Sequence, residues 1–138
     1  MANYRLGYTN ALLLDAQNKA LILRRSSTHR RHAFEADLPG GLLDENETHE
    51  QAIVREIQEE TGILVEPTDL IEVYRGKGLY GWQEQTVFII HLVDTGPEVT
   101  LSSEHDQFEW VALDQLAHIP GSIQNKIEKI IQSKILES

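Results

Sequence analysis

The segment Thr48-His-Glu-Gln-Ala-Ile-Val-Arg-Glu-Ile-Gln-Glu-Glu-Thr-Gly-Ile63 constrains this chain more than any other, because both of its ends are marked. Thr48 and Gln51 have the spacing of a capping box, and Gly62 stands where a left-handed C-cap belongs. A helix over about Glu50–Thr61 is therefore expected. Within it Glu56, Glu59 and Glu60 are related by three- and four-residue steps and share one face. At about 100° per residue that face falls beside the apolar stripe of Ala52, Ile53 and Ile57, so the carboxylates stand at the rim of a packed surface.

Such a placement has a chemical consequence. Two like charges about 4 Å apart repel by about 4 kcal/mol at an effective dielectric of about 20, so clustered carboxylates call for cations or partial protonation. Oxygen-only donors favour Mg²⁺ or Mn²⁺ over zinc. Arg55, immediately before Glu56, suits bidentate pairing with carboxylates, and Glu47 lies near the helix entrance, where the dipole favours an anion. Pro39-Gly40-Gly41 adds a stretch whose backbone can approach a metal or a phosphate closely.

These residues together resemble the Nudix box: Gly, five residues, Glu, seven residues, then Arg-Glu-apolar-X-Glu-Glu-X-Gly-apolar. Gly41, Glu47, Arg55, Glu56, Ile57, Glu59, Glu60, Gly62 and Ile63 fill every defined position. The likeness extends upstream through Ala20–Arg25 and Ala36–Gly41, and downstream through Ser103–Val111; one departure is Ala36, where many relatives carry Trp. It implies an α/β fold, specifically a Nudix α/β/α sandwich with a mixed central sheet. It also implies metal-dependent hydrolysis of the diphosphate linkage in a nucleoside diphosphate derivative, first of all a nucleoside triphosphate cleaved to monophosphate and pyrophosphate.

Carried over residue by residue, the resemblance implies Glu56, Glu59, Glu60 and the Gly41 carbonyl as metal ligands. Arg55 and Glu47 would orient them, with Gly62 as the structural cap. The general base is either a box glutamate, here Glu56, or a carboxylate from a later loop, here Glu104, which also counts as a candidate ligand. Mg²⁺ is the implied cofactor, with Mn²⁺ as the alternative. His105 adjoins Glu104, but no His/Cys spacing supports zinc.

Length and charge narrow the remaining classes. A chain of 138 residues with 41% hydrophobic content suits one domain, expected over 1–138. The formal net charge of −10 argues against bulk nucleic acid or an anionic membrane as partner. No apolar run reaches spanning length, no basic-then-apolar leader opens the sequence, and cysteine is absent, which together lead to a cytoplasmic enzyme as the expectation. A small-molecule nucleotide is the expected partner, acting on a monomer or homodimer.

Substrate contacts are sought where cations and rings gather. Arg24, Arg25, Arg30 and Arg31, with His29 and His32, fall in one short segment that either guides a polyphosphate or is a solvated loop. Arg25, Arg30, Phe34, Gly40, Tyr80 and Trp82 are the candidate substrate-binding residues, the rings for stacking on a base. Spacing shared with coenzyme A pyrophosphatases over Leu21–Gly41 keeps that substrate open, as are ADP-ribose and dinucleoside polyphosphates. A non-catalytic nucleotide-binding Nudix module is the reading from another class; an isomerase like isopentenyl diphosphate isomerase would need a cysteine. Strand-like runs are expected at about Arg5–Leu14, Ala20–Leu23, Leu70–Arg75, Gln85–Val93 and Phe108–Ala112, and a last helix along Ser122–Leu136.

Overall fold

The computed structural model describes residues 7–78, 81 and 83–137. Three apolar runs make the centre of the sheet: β1 (Gly7–Leu14), β2 (Lys19–Arg25) and β6 (Glu84–His91). Each is buried on both faces, because period-2 alternation sends successive side chains to opposite sides. Ala11, Leu13, Leu21, Leu23, Phe88 and Ile90 face one layer, and Leu12, Leu14, Ala20, Ile22, Val87 and Ile89 the other. Helix α1 (His49–Thr61) covers the first layer with Ile53 and Ile57, and helix α2 (Gln124–Ser133) covers the second with Ile127 and Ile130. Fully burying each such side chain stabilises the fold by roughly 1.5–3 kcal/mol.

The sheet is mixed, as expected from the resemblance. β1 pairs parallel with β6 from Gly7↔Glu84 to Leu14↔His91, while β5 (Ile71–Lys77) joins β6 antiparallel and β7 (His105–Ala112) joins β2 antiparallel. Two short strands escaped the sequence reading: β3 (Ala36–Asp37), paired with β2, and β4 (Gly40–Leu42), paired with β1. They are too short to show a period. Three-residue and six-residue 3-10 segments at Pro67–Asp69 and Leu113–His118 were not expected either.

The expected boundaries shift in physically sensible ways. α1 begins one residue earlier than expected, with the Thr48–Gln51 capping box formed in both directions and Gly62 in the left-handed region at φ 77°. The last helix stops at Ser133, short of Leu136, because Lys134 adopts a left-handed cap at φ 60° and a short 3-10 turn follows. β2 runs on to Arg25 and β7 starts at His105, so strand pairing carries both into polar sequence. No described helix is long and apolar enough to cross a membrane.

Candidate active site

The acidic rim forms where α1 passes under β4. Glu56 and Glu60 keep only 9% and 3% of their surface exposed, although both are carboxylates on a helix. The glycine turn explains how they fit. Gly40 N–H donates to Glu60 Oε1 at 2.9 Å, and a Cβ on Gly40 would run into the Thr9 carbonyl oxygen. At Gly41 a Cβ would stand 2.8 Å from Glu56 Oε1, so both positions need glycine for close approach, and Gly40 needs it also for its positive φ of 151°.

Arg55 organises the outer side of this cluster. Its Nε and Nη2 donate to the two carboxylate oxygens of Glu47 at 2.8 and 2.9 Å, and Nη2 also reaches the Leu42 carbonyl at 3.3 Å. Its Nη1 donates to Glu56 Oε1 at 2.9 Å and to Glu59 Oε2 at 3.2 Å. One planar fork thus ties three glutamates together. Glu47 bonded this way, mainly through Arg55, lies below the usual carboxylate range, and the same contacts raise the Arg55 guanidinium.

Glu104 arrives from the turn that opens β7, and its carboxylate joins those of Glu56 and Glu60, with ligand oxygens all within 4.8 Å. Glu59 is not part of this trio; it is 55% exposed at the side chain and turned toward Arg55. Burial pushes the Glu60 carboxyl up to about 9 against the hydrogen bond from Gly40, and Glu56, Glu104 and Asp37 push the same way. Burial likewise raises Glu56, with Arg55 opposing and Glu59 and Glu104 adding to the rise. Three hard oxygen donors that resist sharing their negative charge are a set suited to a divalent cation such as Mg²⁺ or Mn²⁺.

Beside the trio lies a cleft of about 390 Å³, whose walls include Gly40 and Gly41 from the glycine turn, Asn10 paired with Gly40, and Asn125 and Lys126. Asn10 Nδ2 donates to the Leu38 and Pro39 carbonyls, leaving its side-chain oxygen as the acceptor. Asn125 Oδ1 accepts from Gln85 Nε2 at 3.2 Å, leaving its amide hydrogens as donors. Asp37, 8% exposed, accepts from Arg25 Nη1 at 3.0 Å and Lys126 Nζ at 3.2 Å. Burial opposes its ionisation, but His105, Lys126 and Arg25 hold it well below the usual range. Since His105 Nε2 is 4.0 Å away, beyond hydrogen-bonding distance, the two cations are the firm partners.

The sequence candidates for substrate contact divide accordingly. Gly40 and Arg25 do line the cleft, though the Arg25 guanidinium is directed at Asp37, His29 and the Arg31 carbonyl. Phe34 is not brought to this cleft: it is 57% exposed in a separate groove beside Phe108, with Arg24 5.4 Å above its ring. Left-handed backbone at His32 and Phe34 closes the segment into a hairpin, Phe34 N–H donating to Arg25 O at 2.7 Å, and this takes the ring away from the cleft. Arg30 is exposed and not among the cleft-lining residues. Tyr80 and Trp82 lie outside the described residues. Sequence reasoning missed Asn10, Asp37, Asn125 and Lys126; the usable signal was polar Thr9-Asn10 and Gln85-Thr86 inside otherwise apolar strands.

Comparison with known proteins agrees with this geometry. Residues 5–133 match the family model described as the NUDIX domain. A protein of Methanocaldococcus jannaschii named ADP-ribose pyrophosphatase is 31% identical over 122 residues, covering 84% of this chain and 70% of that one. An RNA pyrophosphohydrolase of Pelagibacter ubique is 24% identical over 142 residues, covering 91% and 88%. Among solved structures, the MutT protein from Methanosarcina mazei Go1 superposes with a TM-score of 0.75 at 22% identity, over 96% of this chain and 95% of that one. A box filled at every position, a sheet and helices arranged in the same way, and a match over nearly the whole length place this chain in the Nudix family of hydrolases acting on acid anhydrides.

Proposed function

We propose that the chain is a divalent-metal-dependent pyrophosphohydrolase that cleaves a nucleoside triphosphate to the monophosphate and pyrophosphate. The observation that carries this reading is the meeting of Glu56, Glu60 and Glu104 within 4.8 Å beside Gly40 and Gly41, which also wall the cleft. These three carboxylates would hold Mg²⁺, with Mn²⁺ as the alternative, and the Gly41 carbonyl and Glu59 are the further oxygens that the family motif offers. When bound, such an ion lowers the pKa of a coordinated water and neutralises phosphate oxygens.

The remaining work falls to the chain's own groups. Glu56, steered by Arg55 Nη1, takes the proton of the water that attacks phosphorus. The P–O bond opposite breaks and pyrophosphate leaves. Asn10 and Asn125 present an acceptor and a donor to one nucleobase edge, and a cleft of about 390 Å³ is at the small end of ligand sites, about 300–1,000 Å³. That size favours one nucleoside over a dinucleotide.

A second reading, ADP-ribose as substrate, is favoured by the name of the Methanocaldococcus jannaschii relative. Phosphorus NMR of products from nucleoside triphosphates, ADP-ribose, dinucleoside polyphosphates and coenzyme A tests both. The highest kcat/KM is expected for a triphosphate, with pyrophosphate as product. Preference for ADP-ribose would move the assignment to the second reading, and nucleotide binding without turnover in Mg²⁺ would make the chain a binding module.

A further inference from the structure

Glu104 is the member of the acidic trio with the least support of its own. It is exposed on the turn before β7, and its like-charged neighbours Glu56 and Glu60 repel it. Its main-chain carbonyl is gripped from another part of the chain. Ser26 N–H donates to Glu104 O at 2.9 Å, and His29 Nε2 meets the same oxygen at 2.8 Å. Ser26 Oγ fixes the preceding residue by donating to Ser103 O at 2.7 Å.

The other nitrogen of His29 settles which form of the ring is present. Arg25 Nη2 lies 2.7 Å from His29 Nδ1. A guanidinium has only hydrogens to give, so Nδ1 accepts with its lone pair and Nε2 carries the ring proton. The hydrogen-bond network thereby assigns His29 as the donor to Glu104 O. Arg25 is in turn fixed by Asp37 at 3.0 Å, and Asp37 by Lys126 at 3.2 Å, which runs a continuous line of contacts from the cleft wall to the Glu104 backbone.

We propose that His29 is a positioning residue, locked by Arg25 in its Nε2-protonated form so that it holds the Glu104 turn with its carboxylate beside Glu56 and Glu60. The basic segment then serves the acidic site as a strut, in addition to any attraction it exerts on phosphate. His29 touches no reacting atom, and Ser26 keeps its own bond to Glu104 O, so loss of the ring loosens the turn without releasing it. This inference rests on the metal-site reading above.

The test measures Mn²⁺ binding to the full chain by electron paramagnetic resonance, beside thermal unfolding and nucleotide turnover. His29→Ala is expected to weaken Mn²⁺ by about 3- to 10-fold, the worth of one net hydrogen bond, and to lower kcat. KM for the nucleotide should change by less than about twofold. His29→Gln, which keeps one acceptor and one donor at the end of the side chain, should recover most of the loss. In a Glu104→Gln background His29→Ala should cause no further loss, because the two act on one ligand.

Mn²⁺ affinity unchanged by His29→Ala, while Glu104→Gln weakens it, would overturn the positioning role alone. A full additive loss in the double variant would do the same. Affinity unchanged by Glu104→Gln would overturn the metal role of Glu104 and this inference with it. Should His29→Ala fail to fold, His29→Asn, too short to reach Glu104 O, carries the same comparison.

Discussion

Replacing Glu60 by glutamine separates what the site costs from what it does. In the folded chain this carboxyl titrates at about 9 against an ordinary value of 4.5, because it is buried among other acids. Each unit between folded and unfolded values is about 1.4 kcal/mol. A raised folded pKa means that stability is complete below the unfolded value and is lost as pH rises toward the folded one. By pH 7.5 the unfolded chain has released this proton and the folded chain has not, a cost to the fold of up to about 4 kcal/mol.

Glutamine removes the charge and keeps a carbonyl for the Gly40 N–H bond, now 2.9 Å. In chelator, Glu60→Gln should therefore be more stable than the unaltered chain by about 2–4 kcal/mol at pH 7.5, with the gap closing toward pH 4.5. In Mg²⁺ the order should narrow or reverse, since a ligand at a hundred times its Kd stabilises the unaltered chain by about 2.7 kcal/mol and the variant much less. Urea unfolding followed by circular dichroism at pH 5 and pH 7.5, with and without Mg²⁺, reads all four terms. A variant less stable at both pH values in chelator, or equally stabilised by Mg²⁺, would show that the Glu60 carboxyl neither strains the fold nor binds the ion.

Further outcomes follow from other contacts. Glu56→Gln should lower kcat by about 10²-fold or more and remove the acidic limb of the pH–rate profile, whereas Glu104→Gln should weaken metal binding and retain that limb; the profiles of both variants decide the base. Arg55→Ala strips partners from Glu47 and Glu56, and at 26% side-chain exposure should cost about 1–3 kcal/mol in urea unfolding as well as activity. Gly41→Ala places a methyl 2.8 Å from Glu56 Oε1, so kcat should fall by about 10-fold or more while unfolding midpoints move little. Arg30→Ala should chiefly raise KM, an effect that shrinks at high salt, while Arg25→Ala should lower kcat at any salt because Arg25 acts through Asp37 and His29.

Those contrasts show which parts of the molecule were legible in its sequence. Helix α1 was readable because its signals are local: Thr48, Gln51 and Gly62 mark its ends and the stripe fixes its buried face. β1 and β6 were readable as apolar runs, since strands buried on both faces need no polar alternation. β3 and β4 were not, because two or three residues carry no period and their pairing depends on distant partners. The same limit hid the role of Arg25. A cation in sequence is as good a phosphate ligand as a strut, and only the pairing of Leu23 with Asp37 brings the carboxylate beside it. The placement of Phe34 was hidden for a related reason: its aromatic character was visible, but its left-handed backbone was not.

A metal centre formed by Glu56, Glu60 and Glu104 would make turnover depend on both the ion and these carboxylates. Phosphorus NMR of a nucleotide panel incubated with the unaltered chain in Mg²⁺, in chelator, and with Glu60→Gln in Mg²⁺ reads that dependence. Turnover to monophosphate and pyrophosphate is expected in the first sample, none in the second, and a rate lower by about 10²-fold or more in the third. Undiminished turnover in chelator, or by Glu60→Gln at saturating metal, would contradict the account.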